Sequence, residues 1–261
     1  MDPARLTWAG HATVRIAMGG EAVLTDPVLA RRIAHLRRLV PVPEGITEGL
    51  SAILISHMHR DHLDVPTLRR IDPDVPVIAP AGAVPVLRRA GRREVVEMEP
   101  GAAADVGGLT IRATRAEHDG GAVTRGPRVR RAVHVTALGY VVEGPARVWF
   151  AGDTDLFPGM ADIAEAGLDA ALIPVGGWGP TLGPGHLDAE RAARALAVMR
   201  PRMAVPVHWG TYAPVGVPRS AGYLRSPGED LRRAAARLAP GVDVRVLEPG
   251  GSTGISPASP G

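Results

Sequence analysis

A short run of histidine and aspartate directly after an apolar segment constrains this chain more than any other feature. Residues 51–56 have the near-continuous apolar character of a buried β-strand. Residues 57–62 follow at once and carry four side chains of metal-ligand type: His57, His59, Asp61 and His62. Alternate side chains of an extended segment point to the same side, so His57 and His59 can reach one ion. Asp61 and His62 follow directly and can reach a second ion nearby. A polar loop without a ligand has no reason to follow a buried strand, so this run predicts a metal site.

Three further candidate ligands come just after other apolar segments that we predict to be strands: His118, Asp153 and His208. Each is a weak signal alone, because an aspartate in a Gly-Asp-Thr turn usually ends a turn or caps a helix, and a single histidine is usually a polar surface residue. All three stand at the carboxyl ends of strands, where sheet proteins place ligand sites. Their joint placement predicts that they complete the site.

Composition narrows the chemistry of such a site. The 261 residues include no cysteine, and all 30 lysine-or-arginine positions are arginine. A thiolate nucleophile, a cysteine-ligated metal, a lysine Schiff base and a phosphate-binding lysine are therefore excluded. Imidazole and carboxylate ligands without thiolate favour zinc, with manganese or iron as alternatives.

Two groups of arginines lie in predicted connections near the strand ends: Arg31, Arg32, Arg37 and Arg38, and Arg125, Arg128, Arg130 and Arg131. They could bind a substrate phosphate or form a solvated basic face. The net charge of +3 is a weak sign of anionic partners. Aromatic residues make up only 3% and are not interleaved with the arginines, which disfavours nucleic acid. We expect a small anionic substrate, and the sequence leaves the oligomeric state open.

The chain carries no sign of membrane targeting. Residues 1–8 have no apolar signal-peptide core, and no uninterrupted apolar run approaches about 18 residues. We therefore predict a soluble, cytoplasmic protein without a membrane span.

Short apolar segments bounded by Gly, Pro or Asp predict many strands and few long helices. We predict strands at residues 6–8, 13–18, 22–25, 51–56, 75–79, 110–114, 133–142, 147–151, 170–174, 203–207 and 242–247. We predict helices at residues 64–71, 83–90, 158–166, 188–199 and 229–238. This order fits one layered α/β domain over residues 1–248, with sheets inside and helices outside. Residues 249–261 are rich in Gly, Ser and Pro and are expected to form a flexible tail.

The ordered set of candidate ligands resembles that of the metallo-β-lactamase fold superfamily of binuclear metallohydrolases. The resemblance runs from about residue 6 to about residue 247. Residues 8–13, 24–27, 55–64, 183–188 and 206–211 more narrowly resemble the branch that contains N-acyl-phosphatidylethanolamine phospholipase D and ascorbate-6-phosphate lactonase, the first being the closer match. The resemblance implies a four-layer αββα sandwich in which helices flank two mixed β-sheets.

The same resemblance implies roles for the candidate ligands. One metal would be held by His57, His59 and His118. The other would be held by Asp61, His62 and His208, and Asp153 would bridge the two. A water between two cations loses a proton near neutral pH, and the resulting hydroxide attacks the substrate. Asp61 could orient this nucleophile or relay its proton while it binds the metal.

Three residues outside the ligand set also receive predictions. His186 corresponds to a histidine at the active-site rim and could donate a hydrogen bond to a substrate oxyanion or leaving group, the alternative being a plain polar loop residue. His11, in a turn between two strands, is interpreted as a partner that orients a ligand. Asp26 could likewise hydrogen-bond a ligand, or merely end its strand before Pro27.

The leading functional hypothesis is hydrolysis of a phosphodiester or related ester. The alternatives are a lactonase acting on a small, phosphorylated or plain sugar lactone and a non-catalytic metal-binding sensor with the same fold. His118 is followed by Asp119 and Gly120, where phospholipase-like members usually carry Trp-Ser-Arg, and this departure disfavours a lipid substrate.

Overall fold

Two seven-stranded β-sheets form the centre of the molecule. The computed structural model describes residues 4–121, 134–218 and 220–255. The strands are β1 (Ala4–Gly10), β2 (Thr13–Met18), β3 (Glu21–Thr25), β4 (Arg32–Ile33), β5 (Leu36–Arg38), β6 (Ala52–Leu54), β7 (Val77–Pro80), β8 (Val95–Met98), β9 (Ala103–Val106), β10 (Leu109–Asp119), β11 (Thr136–Glu143), β12 (Arg147–Phe150), β13 (Ala170–Pro174), β14 (Met203–Val207), β15 (Tyr212–Pro214), β16 (Asp243–Val244) and β17 (Ser252–Ile255). The helices are α1 (Val65–Leu68), α2 (Val84–Arg89), α3 (Met160–Ile163), α4 (Ala189–Met199), α5 (Gly222–Arg225) and α6 (Pro227–Leu238).

The first sheet has the strand order β17-β1-β2-β3-β6-β7-β8. Its amino-terminal half is an antiparallel meander, and from β3 onward the strands run parallel. The β1–β2 pairing shifts register between Trp8 and Gly10, so the strand bends at the turn that carries His11. Parallel pairing brings the carboxyl ends of β3 and β6 to one edge, where Asp26 and residues 57–62 follow.

The second sheet has the order β16-β14-β13-β12-β11-β10-β9. Strands β9 to β12 pair antiparallel, and β12, β13, β14 and β16 pair parallel. Every residue of β13 and β14 is buried, which explains why both segments are continuously apolar in the sequence. Between them lies α4, which is capped by Asp188, whose side chain accepts a hydrogen bond from the Arg191 backbone N–H.

The main core lies between the two sheets. Its largest fully buried side chains include Trp8, Ile16, Tyr140, Trp149 and Phe150. The same cluster reaches α4 and α6 on the outer face of the second sheet. A separate cluster joins the outer face of the first sheet to α1 and α2. The layers are therefore helix, sheet, sheet and helix, and the predicted αββα architecture is confirmed.

Several elements differ from the sequence predictions. A three-stranded sheet of β4, β5 and β15, and the edge strands β8 and β9, were not predicted, because they are short and partly charged. The predicted strand at 242–247 is only Asp243–Val244. The flexible tail expected from residue 249 is wrong for Ser252–Ile255, which pairs with β1 through main-chain hydrogen bonds that need no apolar side chains. Residues 256–261 lie outside the described residues. Over the described ranges, no helix is long and apolar enough to cross a membrane.

Candidate metal centre

The candidate ligands meet at one edge of the sandwich, where strands of both sheets end. Residues 57–62 leave the first sheet after β6, and Asp153 and His208 leave the second sheet after β12 and β14. His118 differs from its prediction, because β10 continues past residue 114 to Asp119 and carries His118 within the strand. The β10–β11 register shifts between Arg115 and Asp119, so the strand is irregular where it reaches the site.

One group of donor atoms consists of His57, His59 and His118, which lie within 4.8 Å of one another. His59 Nδ1 is 3.0 Å from His57 Nε2 and 3.2 Å from His118 Nε2. The other nitrogens of His57 and His118 donate elsewhere, so both facing atoms are acceptors in the neutral rings. Burial lowers the pKa of His57 well below its ordinary value and also lowers that of His118. His59 can donate one proton to only one of them, whereas a cation would satisfy all three nitrogens.

A second group consists of His11, Asp61, His62 and His208, again within 4.8 Å of one another. The Nε2 atoms of His62 and His208 are 3.2 Å apart, and His11 Nε2 is 3.2 Å from Asp61 Oδ2. Burial lowers the pKa of His208 to about 3, so its ring is neutral. Asp61 and His62 were predicted from the run 57–62, His208 from its place after a strand and His11 as an orienting partner, and the structure brings all four together.

Asp153 lies between the two groups. Its Oδ2 atom is 3.1 Å from His62 Nε2 and its Oδ1 atom is 3.3 Å from His208 Nε2. Asp153 is buried, yet within the described part of the chain Oδ1 has no hydrogen-bond partner. Although burial disfavours its charge, His208 and His62 hold the pKa of Asp153 well below the usual range. A buried, incompletely paired carboxylate is costly, and a cation on either side would remove that cost.

The site attracts positive charge at His62. Burial opposes a charge on this ring, yet Asp153 and Asp26 on either side raise the pKa of His62 well above its ordinary value. A cation bound next to Nε2 would supply the charge that the two carboxylates attract. The nitrogen and oxygen donor set, the unpaired Asp153 oxygen and this local field all fit bound divalent cations.

The outer nitrogens of the clustered histidines are held by fixed acceptors. His62 Nδ1 donates to Asp26 Oδ2 at 2.6 Å, and Asp26 also accepts from the Ser56 backbone N–H at 2.7 Å and the Ser56 hydroxyl at 2.5 Å. His57 Nδ1 donates to the same hydroxyl oxygen at 2.9 Å. Asp26 is therefore in contact with His62, one of the candidate ligands, and Ser56 links it to His57, a second candidate. Such contacts fix the tautomer and direction of metal-binding rings. No local pattern predicts the Ser56 contact beyond its position at the strand end.

A loop of residues 175–188, between β13 and α4, reaches both donor groups. Its Gly176 carbonyl accepts from His208 Nδ1 at 3.2 Å, and its Gly185 carbonyl accepts from His118 Nδ1 at 3.0 Å. The loop also carries His186, whose Nε2 atom is 3.4 Å from Asp153 Oδ2. We name it the β13–α4 loop. His186 thus lies beside the cluster rather than in a remote polar segment.

Unusual backbone conformations concentrate at the site. Among the described non-glycine residues, five have a left-handed φ, and three of them are site residues: His11 at 53°, Asp26 at 30° and His208 at 71°. Such conformations cost free energy and are kept where the surroundings enforce them. Gly152 has φ of 62°, and a Cβ there would lie 2.7 Å from Ser56 Cβ and 2.8 Å from the Leu138 carbonyl oxygen. This glycine lets the Asp153 loop approach the end of β6, and no local pattern identified its role.

One member of the first arginine group, Arg38, is engaged by the fold itself. Arg38 donates to the backbone carbonyls of Ala9, Val28 and Val40 and lies over the Tyr212 ring. It therefore supports the chain around the first turn, and the other three are exposed: Arg31, Arg32 and Arg37. The second group, Arg125 to Arg131, lies outside the described residues.

Comparisons with known proteins agree with this geometry. A family model described as the beta-lactamase superfamily domain matches residues 21–209. A protein of Aeropyrum pernix named UPF0173 metal-dependent hydrolase is 30% identical over 258 residues, covering 95% of this chain and 96% of that protein.

Two solved structures share the architecture. A metallo hydrolase of the archaeon Ignicoccus hospitalis has a TM-score of 0.71 at 22% identity, covering 98% of this chain and 99% of that one. The metallo-beta-lactamase fold protein YhfI of Bacillus subtilis has a TM-score of 0.67 at 15% identity, covering 97% and 99%. At these identities the likeness concerns the fold alone.

Proposed function

Because this chain belongs to the beta-lactamase superfamily, we propose that it is a metal-dependent hydrolase that works with two divalent ions, zinc in the first instance. The observation that carries this proposal is the position of Asp153, buried between two separate donor groups with one carboxylate oxygen unpaired among the described residues. A single structural ion would need only one donor group, whereas a carboxylate shared by two donor groups suits a pair of ions.

Residue roles follow from the two donor groups. His57, His59 and His118 would hold one ion, and Asp61, His62 and His208 the other. Asp153 would contribute to both. When bound, the ions supply Lewis acidity and an activated water.

The remaining polar groups would handle protons and orientation. Asp61 Oδ2 lies 3.2 Å from His11 Nε2, and Asp61 Oδ1 would receive the proton of the attacking water. His186 is fixed through Nδ1 to the carbonyls of Gly183 and Pro184, so its Nε2 atom points to Asp153 and towards a leaving group. Asp26 keeps the His62 ring in one orientation.

For the substrate, we propose a small anionic molecule with a phosphodiester or related ester bond. Two cations held by these residues would supply the positive charge that suits the anionic phosphodiester group. The β13–α4 loop forms one border of the site through its contacts with His208 and His118. The same kind of nucleophile can also open a lactone ring, so a lactone is the comparison substrate in the test.

The test measures hydrolysis of bis(para-nitrophenyl) phosphate and of a simple aryl lactone by metal-loaded protein, with and without a chelator. Asp61→Ala should lower the phosphodiester rate by about 10²–10⁴-fold, the usual contribution of a general acid–base group. Asp162→Ala is the matched control, since Asp162 is exposed and outside both donor groups. Lactone turnover alone would replace the phosphodiester assignment with a lactonase. Two bound metals without any turnover would favour a sensor and refute the hydrolase.

A further inference from the structure

His11 lies closer to the second donor group than a supporting residue needs to. Its Nε2 atom belongs to a set of four donor atoms, within 4.8 Å of one another, that also includes those of Asp61, His62 and His208. Its ring centroid is 4.0 Å from that of His208, with 35° between the planes. The two imidazole rings therefore pack against each other at a tilt, and both belong to the same donor group.

The backbone around His11 is built to hold it there. Residue 11 has a left-handed φ of 53°, which is costly for a side chain of this size. Its N–H donates to Thr211 Oγ1 at 2.7 Å, and its carbonyl oxygen accepts from Trp8 Nε1 at 2.8 Å and from the His208 N–H at 3.0 Å. Gly10 before it has φ of 109°, and a Cβ there would lie 2.8 Å from the Thr211 side chain.

These contacts tie His11 directly to a ligand. The His208 N–H bond to the His11 carbonyl fixes the two left-handed residues relative to each other. Side chains on two such turns therefore keep a constant separation. Strain that is enforced by buried hydrogen bonds on both sides of one residue indicates that its side chain has a function.

Two of the donor separations match those around one ion, and a third, between Asp61 Oδ2 and His208 Nε2, is longer at 4.0 Å. Zinc–nitrogen bonds of about 2.0–2.1 Å in a tetrahedral arrangement place neighbouring donors about 3.3 Å apart. His11 Nε2 and Asp61 Oδ2 are 3.2 Å apart, and His62 Nε2 and His208 Nε2 are also 3.2 Å apart. The same distance also fits a hydrogen bond from His11 to Asp61, and the experiment below separates the two cases.

We propose that His11 is itself a ligand of the second ion, together with Asp61, His62 and His208. This inference rests on the proposed function, because it presumes that the second group binds a metal. It replaces our sequence-based interpretation of His11 as a residue that only orients a ligand. Each ion then has three imidazole donors, and the second also has its own carboxylate.

The experiment uses the full chain, loaded with Co²⁺ as the probe. Wild type, His11→Asn, His11→Gln and the control His35→Gln are titrated while bound metal and visible absorption are followed, and the fully loaded proteins are examined by X-ray absorption. Asparagine tolerates a left-handed φ, so His11→Asn keeps the turn, and circular dichroism checks the fold. Glutamine can keep a hydrogen bond to Asp61 without an imidazole.

We expect both His11 variants to bind the first equivalent of Co²⁺ as wild type does and to bind the second more than about 100-fold more weakly, a loss above that of supporting residues. The X-ray absorption signal should also lose one imidazole per pair of ions. If His11→Gln keeps the second affinity and the imidazole count, His11 is not a ligand and the inference is overturned while the proposed function stands. If wild type binds fewer than two ions, both the His11 inference and the proposed two-ion function are refuted.

Discussion

Gly152→Ala tests whether the close approach of the two sheets at this edge is needed for both folding and metal binding. Gly152 precedes Asp153 and has φ of 62°, a region in which a non-glycine residue costs about 1–2 kcal/mol. The new methyl group would also lie 2.7 Å from Ser56 Cβ and 2.8 Å from the Leu138 carbonyl oxygen. Real Cβ atoms do not come this close, and overpacking of a buried region costs about 1–3 kcal/mol.

The expected loss in the free energy of unfolding is therefore about 2–5 kcal/mol. The matched control is Gly20→Ala. Gly20 has φ of 87°, and nothing lies within 4 Å of its Cβ position, so that variant carries only the backbone cost of about 1–2 kcal/mol. Alanine restricts the unfolded chain equally in both variants, so this contribution cancels from the comparison.

The assay is urea unfolding of metal-free protein, compared at equal m-values, followed by metal content after loading. Gly152→Ala should be less stable than Gly20→Ala by about 1–3 kcal/mol, and it should bind less metal because relief of the contact displaces Asp153. Equal stability of the two variants would show that the atoms around Ser56 can move to accommodate the methyl group without cost. The steric argument would then be wrong.

Three further outcomes are expected. Asp26→Asn should weaken binding of one of the two ions by about 10–100-fold at little cost in folding, because a neutral amide orients the His62 ring less firmly, and unchanged affinity in a metal titration would contradict this. Removal of metal by a chelator should lower the free energy of unfolding, by about 2.7 kcal/mol for each ion whose free concentration had been about 100 times its dissociation constant. An unchanged thermal unfolding temperature after chelation would count against a bound ion. Arg92→Met should lower stability by about 1.5–3 kcal/mol or more without changing metal content, because this buried guanidinium donates to four backbone carbonyls far from the site, and loss of metal would reveal a coupling that the contacts do not show.

The sequence predicted those parts of the fold in which local pattern and tertiary environment agree. Strands 170–174 and 203–207 are correct to the residue, because they are buried on both faces and bounded by residues that end strands. Helix α4 differs by one residue at its start, since Asp188 is a capping residue before an amphipathic segment. Strand β17 was missed because its stability comes from pairing with β1 across the whole length of the chain.

The candidate site likewise has features that a local sequence pattern predicts and features that depend on contacts between distant residues. The seven candidate ligands could be picked out because each is a metal-binding residue type near the end of an apolar segment, and the structure brings all seven to one edge. The close contact of His11 with the second group depends on Thr211, which is 200 residues away in the sequence. The need for glycine at position 152 depends on Ser56 and Leu138, which are also distant in sequence. Contacts of this kind leave no local pattern.

The β13–α4 loop supports one histidine of each donor group through the carbonyl oxygens of Gly176 and Gly185. Both positions require glycine, because each has a left-handed φ, 78° at Gly176 and 77° at Gly185, and a Cβ at residue 185 would lie 2.8 Å from His118 Nδ1. Trp178, with more than a third of its surface exposed, is one of the side chains displayed beside the site. The positions of this loop that support the candidate metal centre are therefore separate from those that display exposed side chains such as Trp178. A substitution at Gly185 would disturb His118 directly, whereas a substitution at Trp178 would leave both supporting carbonyls in place.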